Sequence, residues 1–125
     1  MKTAPLFGLF ALFLASPLAA AELDVPIYEY GGDGLDTCGL SRVAGLKADG
    51  DGFLAVRTGP GSNYRKIDEI HNGDDVYVFE QKGKWYGILY GRPFPDCHSP
   101  KKKRIMRYPG KKGWVHGNWI RQIAG

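Results

Sequence analysis

The sequence predicts an all-β fold: a small antiparallel β-barrel of about five to six short strands with one long basic loop. Three observations predict it. Short apolar–polar alternations recur at roughly ten-residue spacing, the period of half-buried strands. Turns rich in Gly, Asn and Asp separate them. A Pro-punctuated basic stretch, residues 91–112, interrupts the last of the alternations. The 125 residues suit one domain with a modest core, and no copy of the whole unit repeats.

Taken in order, the chain opens on Met1-Lys2, an apolar run at residues 6–14, Ser16-Pro17 and Ala19-Ala20-Ala21. A basic start, a short apolar centre and small residues at the end predict a secretory signal peptide over residues 1–21, cleaved after Ala20 or Ala21. The run is too short to span a bilayer as a helix, and no other stretch could cross one. No Cys stands beside the cleavage point, so a lipid anchor is not indicated. The expected location is periplasmic or extracellular.

Residues 22–40 form an acidic lead-in containing Gly31-Gly32-Asp33-Gly34, expected to be irregular and held down by Cys38. A first strand is expected at residues 41–47, with Val43 and Leu46, and a turn at residues 48–52. Asp49-Gly50-Asp51-Gly52 has the look of a calcium loop, but Lys47 and Thr58 would fall at the positions needing Asp and bidentate Glu. The stretch GFLAVRTGPGSNY at residues 52–64 follows. Leu54 and Val56 alternate with Ala55 and Arg57 as a half-buried strand. Gly59-Pro60-Gly61-Ser62 suits a type II turn, with Pro fixing φ and Gly61 taking φ > 0. Residues 67–70 make a short strand, and His71-Asn72-Gly73-Asp74 a hairpin turn. Val76-Tyr77-Val78-Phe79 alternates cleanly, and Gln81-Lys82-Gly83-Lys84 turns the chain. In residues 85–90, Tyr86, Ile88 and Tyr90 share one face and Trp85, Gly87 and Leu89 the other. Gly113-Trp114-Val115-His116 and Asn118-Trp119-Ile120 supply the last pairing segments.

The run Leu54-Ala55-Val56-Arg57-Thr58-Gly59-Pro60-Gly61, with Tyr64 after it, resembles the opening signature of the bacterial SH3 (SH3b) domain. The resemblance continues through Asn72-Gly73, Trp85-Tyr86 and Gly113-Trp114-Val115 to Ile120. Ala55 and Thr58 depart from the family's usual Asn and Ser. The resemblance implies an SH3-like barrel over residues 41–125 and a peptide or peptidoglycan ligand. The ligand groove would lie between the loop from Arg57 to Tyr64 and the neighbouring hairpin. Family members commonly join the strands flanking residues 91–112 by a short hairpin, so this insertion is the chain's own.

Charge is unevenly spread. Residues 22–51 carry seven acids and two bases, and residues 82–121 carry eleven bases and one acid, Asp96. Eight bases fall within residues 92–112, including the run Lys101-Lys102-Lys103-Arg104. That run predicts either a solvated loop or contact with an anionic polymer. Export disfavours nucleic acid, and the spacing is not that of a surface-lying membrane helix. Cys38 and Cys97 in an exported chain predict a disulfide tying the lead-in to the insertion's first half, with its second half left free. Zinc on Cys38, Cys97, His98 and His116 is the competing arrangement, disfavoured by the oxidising compartment and the absent C-x-x-C pair.

Catalysis finds no support. Adjacent Cys97 and His98 point opposite ways in an extended segment and make a poor nucleophile–base pair. No cofactor is implied. A small barrel cannot bury all thirteen aromatics of residues 22–125. Trp85 and Trp114 are expected in the core. Tyr64, Tyr86 and Trp119 are expected as groove walls, with Arg57, Thr58 and Asn118 beside them; Arg57 could instead hold a turn carbonyl. The expected function is a secreted, non-catalytic cell-envelope binding module for peptidoglycan or a peptide. The alternative is a protein-interaction or inhibitory factor acting on an envelope protein.

Overall fold

The computed structural model describes residues 22–31, 38–47, 49–98 and 100–124. The predicted signal peptide lies outside them. The alternating segments become β1 (Tyr28–Glu29), β2 (Gly39–Val43), β3 (Leu54–Arg57), β4 (Lys66–Ile70), β5 (Asp75–Lys82), β6 (Trp85–Tyr90), β7 (Arg104–Ile105), β8 (Lys111–His116) and β9 (Ile120–Ala124). A single 3-10 turn, Gly117–Trp119, links β8 to β9. Seven strands form one antiparallel sheet in the order β4-β3-β8-β6-β5-β2-β9, and β1 pairs with β7 in a separate two-stranded ribbon. The fold is all-β as expected, but the sheet is not closed into a barrel. Among the described residues β4 and β9 are its two edges and do not pair with each other. Both edges are short and carry charge, Lys66, Asp68 and Glu69 on one and Arg121 on the other, a composition that discourages further pairing.

The sheet curls around its core without that closure. Val43 of β2, Leu54 and Val56 of β3, Ile70 of β4, Val76 of β5, Ile88 and Tyr90 of β6, Val115 of β8 and Ile120 of β9 form one buried cluster. Every strand of the sheet contributes to it. Strand alternation sends the intervening residues to the outer face. There Phe79, Leu89 and Trp114 are also buried, in a second cluster with Ile27, Cys38, Met106 and Tyr108. β6 is therefore covered on both faces, and Trp114 is fully buried as expected, though in this outer cluster.

The cover on the outer face is the lead-in and the insertion. The lead-in holds a strand, and the insertion's second half is not free. Tyr28 pairs with Ile105 and Glu29 with Arg104. Met106 donates its N–H to the Ile27 carbonyl at 2.8 Å, and the Trp114 indole donates to the Val25 carbonyl at 2.8 Å. Cys38 and Cys97 form the expected disulfide, with Cα atoms 5.1 Å apart across a separation of 59 residues. Closing a loop of that length disfavours the unfolded chain by about 4 kcal/mol in the loop-entropy account. The first strand of the main sheet also starts earlier than the sequence suggests, at Gly39.

Two turns differ from expectation. Gly61 has no positive φ; among the described residues the glycines that do are Gly45, Gly52, Gly73, Gly83 and Gly91. The chain reverses instead by the Gly61 N–H to Gly59 carbonyl bond (2.9 Å) across Pro60, a γ-turn, and then by Tyr64 N–H to Gly61 carbonyl (3.2 Å). Side chains crowd both glycines: a Cβ at Gly59 would sit 2.5 Å from the Tyr64 ring, and one at Gly61 2.6 Å from the Asn63 side-chain oxygen. Gly73 does turn the chain, with φ +92°, but β4 and β5 are not neighbours, so no hairpin results. The tight hairpin is β5–β6, where Gly83 (φ +60°) opens a two-residue loop between the paired Lys82 and Trp85.

Candidate functional site

The residues expected to wall one groove do not face one groove. Arg57 is paired with Trp114 and Tyr86 with Val115 across β8. Successive residues of a strand point to opposite faces, so Arg57 and Tyr86 project from opposite faces of the sheet. Arg57 takes its structural role, its guanidinium donating to the Tyr64 carbonyl at 3.0 Å. Thr58 is fully buried, with its hydroxyl donating to an Asp24 carboxylate oxygen at 2.6 Å. It therefore presents nothing to a ligand: the lead-in covers it, an arrangement invisible in the Thr58 motif itself. Tyr64 is half-buried over Gly59 and Gly61. Tyr86 and Trp119 are half-buried against the inner cluster, and Asn118 is exposed on the 3-10 turn. Tyr86 lines a shallow hollow with Gly39, Ser41 and Gln122.

A different groove carries more aromatic surface. It has a volume of about 390 Å³ and lies between β4, the start of β5 and the chain leaving β6. Its floor is Ile70 and Tyr90, and its wall Tyr77 and Phe94, whose rings meet edge to face at 6.2 Å. Phe94 is 63% exposed, the most exposed large apolar residue described. Its rim carries Asp68, Glu69, Asp74 and Asp75 against Arg92 and Lys111. The Tyr90 hydroxyl donates to Asp68 at 2.8 Å, and Lys111 lies 3.8 Å from the same carboxylate. Burial, then that bond, pushes the Tyr90 phenol far above its ordinary range and keeps it a donor. Arg42 pairs with Asp75 at 2.9 Å and Lys66 with Glu69 at 2.7 Å, both exposed pairs. Sequence reasoning missed this groove because its walls come from four separate segments. Phe94 between Pro93 and Pro95, an aromatic on a loop with no strand to bury it, was the one available signal.

The basic run leads into the ribbon, with only Arg104 inside β7. Lys101 and Lys102 are exposed, while Lys103 Nζ sits 4.6 Å from the Tyr28 ring centre and 5.0 Å from that of Tyr30. Arg104 pairs with the buried carboxylate of Glu29. Behind them the buried Glu80 carboxylate accepts from the Tyr28 N–H at 3.1 Å and the Tyr30 hydroxyl at 2.5 Å. That bond, with a smaller contribution from burial, pushes the Tyr30 phenol up to about 12. Both thiols are spent in the disulfide, so Cys38 and Cys97 offer no thiolate to a metal. Among the described residues no three His, Cys, Asp or Glu side chains are grouped to hold one.

The family model described as bacterial SH3 domain matches residues 52–121, more than half of the chain. No curated protein and no solved structure gives a significant match. The matched span runs from the turn before β3 to the start of β9, so it contains the curled sheet except β2 and most of β9, and the insertion within it. On this match the chain belongs to the bacterial SH3 domain family.

Proposed function

We propose that this chain is an exported, non-catalytic module of the cell envelope that recognises peptidoglycan or a peptide. The observation that carries the reading is the family match over residues 52–121, because bacterial SH3 domains commonly bind cell-wall components. Three features support it. The disulfide suits an oxidising compartment. No helix among the described residues is long and apolar enough to cross a membrane. The Phe94 groove offers a concave, aromatic-walled surface of the size that accepts a side chain and its flanking backbone.

Co-sedimentation with purified sacculi tests the reading, with a parallel pull-down on envelope proteins. Retention on sacculi is the expected result. Retention on an envelope protein alone would move the function to the interaction or inhibitory factor. The exposed bases just before the ribbon, Lys101 and Lys102, would add attraction to an anionic polymer of the wall in either case.

A further inference from the structure

The lining of the Phe94 groove is richer in carboxylates than in cations, in a chain whose formal net charge is +4, although Arg42 and Lys66 partner two of those carboxylates from outside the lining. Four carboxylates rim it against two cations, and three aromatic rings line it. Carboxylates beside aromatic faces make the environment that holds an ammonium group, through charge-assisted hydrogen bonds and ring quadrupoles together. The chain's own cations already use these rings: Arg92 lies 5.5 Å from the Phe94 ring centre and Lys111 5.9 Å from that of Tyr90. Phe94 remains largely open to solvent beside them.

We propose that this groove binds the primary ammonium group of a peptide, with Phe94 and Tyr77 as its aromatic wall and Asp75 and Glu69 as its charge acceptors. The proposal rests on the cell-wall reading only for where such a peptide is met. The partners these two carboxylates now have, Arg42 and Lys66, are exposed and screened, and an ionised carboxylate keeps further acceptor sites. An incoming ammonium group can share them without unfolding anything. Asp68 is held by Tyr90 and Asp74 caps the His71 N–H at 2.8 Å, so those two shape the rim. A compact ammonium with three donors suits separate carboxylates contributed by β4 and β5 to one groove better than a planar guanidinium, which needs a matched fork.

The test titrates the full exported chain with the blocked tripeptide Ala-Lys-Ala and with its Nε-acetyl form, read by amide chemical shifts. The lysine peptide should shift Gly91 and Tyr77, and acetylation should weaken binding roughly tenfold or more, because the charge is the recognised feature. Phe94→Ala and the double variant Glu69→Gln/Asp75→Asn should each weaken the lysine peptide while thermal melts stay near wild type. Equal binding of the two peptides, undiminished binding by both variants, or no shift at millimolar peptide would each overturn the proposal. A second arm uses sacculi before and after acetylation of their free amines. Loss of retention on acetylated sacculi supports the groove. Retention on both leaves the cell-wall reading standing and removes the ammonium site from it. No retention on native sacculi removes the cell-wall reading, and the peptide titration then decides the groove by itself.

Discussion

Tyr64 packs on Gly59, and that contact, more than backbone conformation, explains this glycine, while at Gly61 a Cβ would meet the Asn63 side-chain oxygen at 2.6 Å. A methyl group at Gly59 would meet the ring at 2.5 Å, and the turn's own hydrogen bonds leave the ring little room to move. Gly59→Ala should cost about 1–3 kcal/mol of overpacking, whereas Ala55→Ser, at a half-buried position, should cost much less. Urea denaturation of the two variants checks this; equal midpoints would reject the ring contact. Tyr30 gives a second residue-scale expectation. Its phenol is raised from 10.0 to about 12 by the bond to Glu80, so the neutral form is the one the folded state favours. The contribution of this bond to stability is therefore complete below pH 10 and lost as the pH rises through about 12. The phenolate absorbance curve of wild type minus Tyr30→Phe should have its midpoint near pH 12. A midpoint at the ordinary phenol value would mean that the Glu80 contact does not form in solution.

At the scale of elements, the strands were legible and their outer partners were not. Alternation in residues 54–57, 76–79 and 85–90 identifies β3, β5 and β6 and even which face each side chain takes. Ile27, Met106 and Tyr108 sit in segments without period, so nothing local says that they pack on Trp114. Their order comes from tertiary contacts: a disulfide, a two-residue ribbon, the Met106-to-Ile27 backbone bond and the Trp114 indole bond to the Val25 carbonyl. The groove set failed for the same reason. Thr58 and Tyr86 lie on correctly assigned strands or their ends, but the lead-in covers one and the pleat turns the other away from Arg57. The second cluster makes a measurable statement. Trp114→Ala should cost roughly 3–5 kcal/mol, the range for a fully buried large side chain, and Trp85→Ala less because Trp85 is half-buried. Removing the disulfide by Cys38→Ser with Cys97→Ser should cost up to about 4 kcal/mol. Because the bridge tethers the outer cover, it should also raise quenching of tryptophan fluorescence by iodide while the strands persist in the circular dichroism spectrum. Unchanged quenching would show that the cover stays docked without the bridge.

Across the whole molecule, the acidic start and the basic end of the chain are folded onto each other. Glu29 meets Arg104, and the disulfide brings the lead-in to the insertion. The bases of the run are consequently unequal. Lys103 is stacked on Tyr28 and Tyr30, and Arg104 neutralises a carboxylate that is only 5% exposed, while Lys101 and Lys102 have their charges in water. Removing Arg104 leaves the Glu29 carboxylate buried without its cation, so Arg104→Gln should destabilise by about 1–3 kcal/mol. Lys101→Gln/Lys102→Gln should leave the melting temperature nearly unchanged, because exposed charges contribute little to folding. If the ribbon meets an anionic polymer of the envelope, those same two charges act over about 8 Å at physiological ionic strength and should steepen the salt dependence of binding. Retention of wild type and the Lys101→Gln/Lys102→Gln variant on isolated envelopes, compared at low and high salt, separates the two roles. A flatter salt curve for the variant with an unchanged melt is the expected result. Superimposable salt curves would confine the basic run to holding the ribbon, and would leave the carboxylate-rimmed Phe94 groove as the binding surface to pursue.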